Sequence, residues 1–544
     1  MHLRRVMRMM RLGLLSAALL GLVAAPAAAA ASDTGRDWPD HSAFEALQGD
    51  FEDGQAVTRA CLECHRDAGH EVRQSIHFTW SFAHPDTGQQ TGKRHAINNF
   101  AMSVRTNMVG CAKCHAGYGL GDPAYDASAD TRADCLVCHD RTGAYGKTHK
   151  GRAHITKDQV TVDGEMLLLP DLGDIARHVG PTRIETCGSC HFQAGGGDGA
   201  KTGDLDSSLR DAPKALDVHM SDAGADMTCS DCHVERGHEL AGGHYDMSAF
   251  DPEGTGKPGE RRHAASCASC HSNAPHDAAG PYTGHALNRH IDRIACQTCH
   301  VPKIARGGVA TKTLWDWSEA GRLAEDGSRI QKRNDNGRLV YASSLGKMRW
   351  RADYAPSYRW FDGVNRYPTV EDARISDSPP IAINTFGGGP DDPDARLWPF
   401  KIMRGKQPYD AGTNRLVPVN LFGDDAAFWT SLDWKPAVRT AMAAVGRDFS
   451  GELGFVETRA FYPVTHMVAP AEDALTCRSC HGVGTRMAGV TGTYVPGQSG
   501  RWVDVLGLIA VVLAAGGVAG HAGLRLAARR RRAAAGTQTG GDTP

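Results

Sequence analysis

No cysteine in this chain is spare. All sixteen fall in one repeated pattern, which leaves none for a disulfide or a cysteine nucleophile. An excess of either charge is also missing. Sixty Lys plus Arg stand against 62 Asp plus Glu, a formal charge of −2, so neither nucleic acid nor a polyanionic partner is indicated. Few stretches before residue 300 alternate polar with apolar as half-buried strands do. The Gly-rich runs Gln193 to Asp204 and Thr385 to Asp394 lack a clear strand-to-helix junction, which removes them as phosphate cradles and leaves loops.

The repeated pattern is C-x-x-C-H, eight times over. The first cysteines are Cys61, Cys111, Cys135, Cys187, Cys229, Cys267, Cys296 and Cys477, and the second are Cys64, Cys114, Cys138, Cys190, Cys232, Cys270, Cys299 and Cys480. His65, His115, His139, His191, His233, His271, His300 and His481 follow directly. Paired cysteines also build tetrahedral zinc sites, but zinc does not demand a histidine after every second thiol. With 26 His in 544 residues, eight of eight is not chance. The pattern is the attachment signature of c-type haem: two thiols add to the porphyrin and the adjoining His ligates iron. Eight covalent haem c groups are expected, with arginines pairing their propionates. The fold class expected is a multihaem cytochrome c, mainly α-helical with extensive loops and few strands, its core built around porphyrin. Gly, at 63 of 544, permits close wrapping of backbone over the rings.

In order, residues 1–31 read as a signal peptide, with Arg4, Arg5, Arg8 and Arg11 before an apolar run and small residues at Ala27 to Ala31. Residues 32–300 hold seven motifs, with helices expected at the motifs and from Glu71 to Phe82. Residues 301–500 are haem-poor and carry the eighth motif. Their Trp, Tyr and Arg suit packing over the haem array, with helices expected from Asp424 and over Lys435 to Val445. Residues 501–528 form the expected transmembrane helix, and the basic run Arg529 to Arg532 holds the tail 529–544 in the cytoplasm. The haem domain then faces the periplasm, where it would meet a periplasmic or membrane electron donor and could self-associate.

Each iron needs a ligand on its far side, and a second imidazole makes it six-coordinate and suited to electron transfer. The candidates are His77, His95, His219, His238, His285 or His276, His290 and His466, with His41, His84, His149, His154, His178, His244 and His263 in reserve. The region from Cys111 to Lys150 differs. Two motifs crowd together there and two lysines, Lys147 and Lys150, follow closely. An amine is a more replaceable iron ligand than imidazole, and a haem so closed can take substrate.

The eight motifs, with HSAFEALQGDF from His41, HFTWSF, KRHAINNF, DCLVCHDRTGAYGK, CGSCHFQAGGGDGAKTGDLDSSL and CQTCHVP, resemble the octahaem tetrathionate reductase family of periplasmic cytochromes c. The resemblance implies a catalytic haem at Cys111, Cys114 and His115 with Lys147 as its far ligand. It also implies reduction of tetrathionate, nitrite or hydroxylamine. Asp140 is then placed to orient a ligand by hydrogen bonding, His149 to deliver protons, and Lys93, Arg94 and Arg141 to steady an anion. One departure stands out: the family's pocket cysteine after the NNF stretch is Ala101 here. An oxidative enzyme resembling hydroxylamine oxidoreductase, with Tyr462 as the cross-linking tyrosine, and a relay with every iron closed remain the rival readings.

Overall fold

The computed structural model describes residues 38–84, 87–97, 103–120, 126–147, 160–162, 165–167, 171–245, 265–369, 373–375, 378–423, 425–498 and 500–537. The expected signal peptide, Ala101, His149, Lys150, His154, His263 and Asp424 lie outside these residues.

The haem-rich half is built from short helices that carry the motifs. The first, α1 (Gly54–Cys64), is capped by the Asp53 carboxylate, which accepts from the Ala56 amide at 2.7 Å, and it ends at the second thiol of the first motif. Residues three apart on a helix share a face, so a helical C-x-x-C aims both thiols the same way. The same device recurs in α2 (Ile184–His191), in Cys296–His300 and in single turns such as Cys229–Cys232, Ala268–His271 and Cys477–Cys480. The expected helix from Glu71 to Phe82 is two pieces, Ala68–Gln74 and Ile76–Thr79, broken where Ser75 turns extended. After α2 the Gly-rich run turns back on itself with Gly195, Gly196 and Gly197 all at positive φ, a path that side chains resist.

The haem-poor segment departs from the helical expectation. The described residues are 32% helix and 19% strand, and most of the strand lies here. Nine strands form one sheet: β1 (Thr311–Asp316), β2 (Gln331–Arg333), β3 (Leu339–Ala342), β4 (Gly346–Arg351), β5 (Ser357–Phe361), β6 (Ile381–Ala382), β7 (Arg396–Asp410), β8 (Arg415–Leu416) and β9 (Leu453–Pro463). Their order is β6-β9-β7-β1-β4-β3-β2, with β5 and β8 also paired to β7. The spine is the antiparallel ladder of β7 on β9, running from Phe400 opposite Pro463 to Asp410 opposite Leu453. Alternation fails to reveal β7 because it is buried on both faces, Lys401 included. That lysine is satisfied in place: its Nζ donates to the carbonyls of Ala200 (3.0 Å) and Lys201 (2.6 Å) and to Thr311 Oγ1 (2.6 Å).

The largest apolar cluster belongs to this sheet. It gathers Trp315, Trp317, Phe428, Val438, Met442 and Val456, with Trp315 stacked on Trp317 at 4.8 Å and Phe428 on Trp434 at 3.9 Å. These aromatics pack on one another within the segment. The helix expected over Lys435 to Val445 is α3 (Trp434–Ala444), while the one expected from Asp424 is a single turn, Phe428–Ser431. The chain ends in α4 (Arg501–Thr537), whose apolar side chains Leu506, Leu508, Val511 and Leu513 are exposed. At 1.5 Å per residue its 37 residues extend about 55 Å.

Candidate haem sites

All sixteen cysteines line one cavity of about 3400 Å³, and so do seven of the eight motif histidines. Thiols of different motifs meet in it: Cys61 with Cys135, Cys114 with Cys190, Cys187 with Cys229 and Cys267 with Cys296. The first motif thus adjoins the third, the second and fifth adjoin the fourth, and the sixth adjoins the seventh.

Histidines face each other across this space at a recurring separation. Ring centres lie 6.4 Å apart for His41 and His65, 6.1 Å for His77 and His191, and 5.9 Å for His219 and His271. They lie 6.3 Å apart for His233 and His466, 6.3 Å for His276 and His300, and 6.1 Å for His290 and His481. Two metal–nitrogen bonds of about 2 Å plus the half-widths of two imidazoles give about 6 Å, the span of one metal ion held between two rings. His238, His65 and Glu235 are titratable neighbours of His139.

The ring nitrogens are arranged to match. Nδ1 donates to a carbonyl in His139 (Gly180, 2.9 Å), His233 (Ala241, 2.8 Å) and His290 (Ala286, 2.6 Å). It donates to a side-chain oxygen in His238 (Glu71, 2.8 Å), His276 (Asn288, 3.1 Å) and His466 (Asp204, 3.3 Å). An Nδ1–H bond of this kind fixes the ring and leaves Nε2 for metal. The residues present therefore fit covalent porphyrin with imidazole on both sides of iron.

Two of the far-side candidates sit elsewhere. His95 meets Ser81 Oγ at 2.7 Å, and His285 is exposed on Thr283–His290; neither lines the cavity. His41, a reserve, faces His65 instead. His178 is on the surface, bonded to the Asp174 carbonyl, and His84 is buried beside Phe82.

The second motif is different in kind. His115 is buried, packs against Phe78 and Trp80 at 4.9 Å each, and has its Nε2 on the Phe78 carbonyl at 2.6 Å. Burial draws its pKa down to about 4. Among the described residues no imidazole pairs with it. What the chain places there is an amine: Lys147 Nζ donates to the His115 carbonyl and, at 3.4 Å, to that of Gly117. The same Nζ is 2.6 Å from Asp134 Oδ2, with both side chains wholly buried. The other Asp134 oxygen accepts from Tyr118 OH (3.0 Å), Tyr145 OH (2.7 Å) and the Val137 amide (3.1 Å). Asp140 holds the turn that delivers Lys147, accepting from the amides of Thr142 (2.8 Å) and Tyr145 (3.2 Å). Arg141 meets the Pro181 carbonyl, and Lys93 lies 5.7 Å from the Trp80 ring. Asp134 was not among the residues singled out from sequence. Its only signal there is a place directly before Cys135.

A crystal structure of octaheme cytochrome c from Shewanella oneidensis superposes with a TM-score of 0.70 at 33% identity, over 84% of this chain and 98% of that one. This chain belongs to the octahaem cytochrome c family. The family model described as cytochrome c bacterial matches residues 312–484, which in this family member is the sheet and the eighth motif. No curated protein matches. Family and geometry agree that the octahaem cytochrome carries covalently bound haem c and works in electron transfer or reduction. The relative accounts for 84% of the chain, against an α4 of 37 residues at the C-terminus.

Proposed function

We propose that this protein is a periplasmic reductase of small oxyanions or hydroxylamine, carrying eight haems and held to the inner membrane by α4. In this reading it is exported by the signal peptide of residues 1–31, and seven irons are closed by two histidines each. The pairs are His65 with His41, His139 with His238, His191 with His77, and His233 with His466. The remaining three are His271 with His219, His300 with His276, and His481 with His290. The observation that carries the reading is the exception: His115 has Lys147 beside it where the other motifs have a second imidazole.

Bound haem supplies one-electron carriers throughout and, at the second motif, an iron position open to exchange. The chain supplies the rest. Cys111 and Cys114 line the cavity and would carry the second haem, and His115 would ligate its iron through the Nε2 that here meets the Phe78 carbonyl. Asp134 keeps the Lys147 amine at the motif, and the Asp140 turn sets its reach. Trp80 and Phe78 shield this site from bulk water, which strengthens the charge interactions within it. Contact between Cys114 and Cys190 couples the second motif to the fourth, the branch through which electrons would arrive.

The test is mass and turnover together. The mature protein should weigh as a chain with eight haems and no signal peptide, and reduced viologen should drive turnover of nitrite, hydroxylamine or tetrathionate. Lys147→Ala should leave the haem count intact and change turnover by tenfold or more. An eight-haem protein that turns over none of the three substrates would be the closed relay instead.

A further inference from the structure

Among the described residues, one cavity histidine has no imidazole opposite it and no motif beside it. His244 lies 5.4 Å from the ring of Tyr245, 5.6 Å from Tyr367 and 6.1 Å from Tyr462, and its Nε2 bonds the Tyr367 hydroxyl. The cluster is fixed from behind. Asn365 Nδ2 donates to the His244 carbonyl at 3.0 Å, Asn384 Nδ2 holds Asn365 at 3.1 Å, and Gln89 Nε2 reaches the Tyr367 carbonyl at 3.4 Å. Tyr367 and Tyr462 are buried, while His244, Tyr245 and Lys201 line the cavity.

Contacts lead from this cluster to the second motif. Tyr245 stacks on Phe82 at 6.4 Å, and two residues earlier Trp80 meets His115. Lys93 is within electrostatic reach of Cys111 and Cys114 on one side and of Lys201 on the other, and Lys201 in turn reaches His244. The charged and titratable groups facing His244 are Lys201, Asp204 and the three tyrosines.

We propose that His244 and Lys201 form the proton-supplying wall of the substrate pocket, with Tyr367 bonded behind His244, and that the substrate is one whose reduction consumes protons, a nitrogen oxyanion or hydroxylamine. The proposal rests on the reductase reading above and narrows it. Nitrite takes up six electrons and eight protons, breaking both N–O bonds to give ammonium and two waters. Hydroxylamine takes two electrons and two protons, breaking its N–O bond to give ammonia and water. Tetrathionate takes two electrons, breaks its central S–S bond and gives two thiosulfates with no proton at all. The electrons come from a one-electron donor through the haems. A buried donor set has work to do only in the first two reactions. Burial and Lys93 bring the Lys201 amine down to about 7, so it can give up a proton at neutral pH. Burial and Lys201 draw His244 down to about 3, so it is a neutral imidazole that passes a proton between the Tyr367 hydroxyl and the cavity.

The test uses the full-length haem-loaded protein, with reduced viologen as donor and nitrite, hydroxylamine and tetrathionate as acceptors. Ferricyanide reoxidation of the haems serves as a proton-free control. Wild type should reduce the nitrogen substrates faster than tetrathionate. Tyr367→Phe and His244→Asn should each lower kcat for nitrite by about a hundredfold, the scale of a lost general acid. Ferricyanide rates, any tetrathionate turnover and the low-spin haem spectrum should stay within about twofold of wild type on that same scale. Unchanged nitrite turnover in both variants, or equal loss with every acceptor, overturns the proposal and leaves the reductase reading standing. A high-spin iron appearing in His244→Asn overturns it by making His244 a ligand. A wild type turning over only tetrathionate overturns it too, and one turning over nothing ends both readings.

Discussion

Asp134 is the residue on which the second motif turns. Its one carboxylate meets the Lys147 Nζ, two phenols and an amide in a site sealed from water. Removing it leaves an amine, two phenols and an amide buried without this acceptor, at a cost of about 1–3 kcal/mol for a group left unsatisfied. Asp134→Ala should therefore lower the thermal midpoint of the haem-loaded protein by several degrees. Asp134→Asn, which keeps the hydrogen bonds from Tyr118 and Tyr145, should fall between it and wild type. Differential scanning calorimetry reads both, and equal midpoints for Asp134→Ala and wild type would remove the carboxylate from the account. Little of this was legible beforehand. Lys147 could be singled out through the family resemblance, but Asp134 becomes visible only when the chain folds back, because ion pairing follows space and not spacing.

At the scale of elements, the haem-rich helices and the loop after β8, which packs on the sheet's apolar cluster, meet in a tight contact. Gly110, directly before Cys111, lies so close to the Phe422 ring that a Cβ there would sit 1.6 Å from Cζ. Gly110→Ala should force the second motif away from the sheet, costing about 1–3 kcal/mol of overpacking. Haem content measured by mass should fall by one in that variant and return in the double variant with Phe422→Ala. Full haem loading in Gly110→Ala alone would show that the contact does not matter. The helices at the motifs and α3 were legible because thiol spacing and a Pro-led amphipathic run survive in sequence. The sheet was not. Its central strand β7 contains Pro399 and Pro408 and buries Lys401, Arg396 and Gln407, so neither alternation nor composition betrays it. Its polar groups are satisfied by distant carbonyls, as Lys401 is by Ala200 and Lys201. The facing histidines were half legible for the same reason: residue type marks candidates, while pairs such as His233 with His466 are joined only by the fold.

For the whole molecule, the last helix is joined to the eighth motif. Gln498 Nε2 donates to the Cys480 carbonyl at 2.6 Å, and Gly497 and Tyr494 both bond Asp504 in the first turn of α4. The apolar helix thus starts on the eighth motif, and its length and composition suit a membrane span. Ending the chain after Gly500 should move the cytochrome from the membrane fraction to the soluble periplasmic fraction, with viologen-driven turnover within about twofold of full length. Turnover driven by a membrane hydroquinone should be lost. A shortened protein still sedimenting with membranes would assign α4 another role.

The central claim concerns one iron of eight, and near-infrared magnetic circular dichroism of the purified oxidised protein tests it most directly, since amine and imidazole ligation give low-spin ferric haem different charge-transfer energies. The account predicts a His/Lys band beside a larger bis-His band, with Lys147→Ala abolishing the first and sparing the second. A spectrum that is bis-His throughout and unchanged by Lys147→Ala would contradict it.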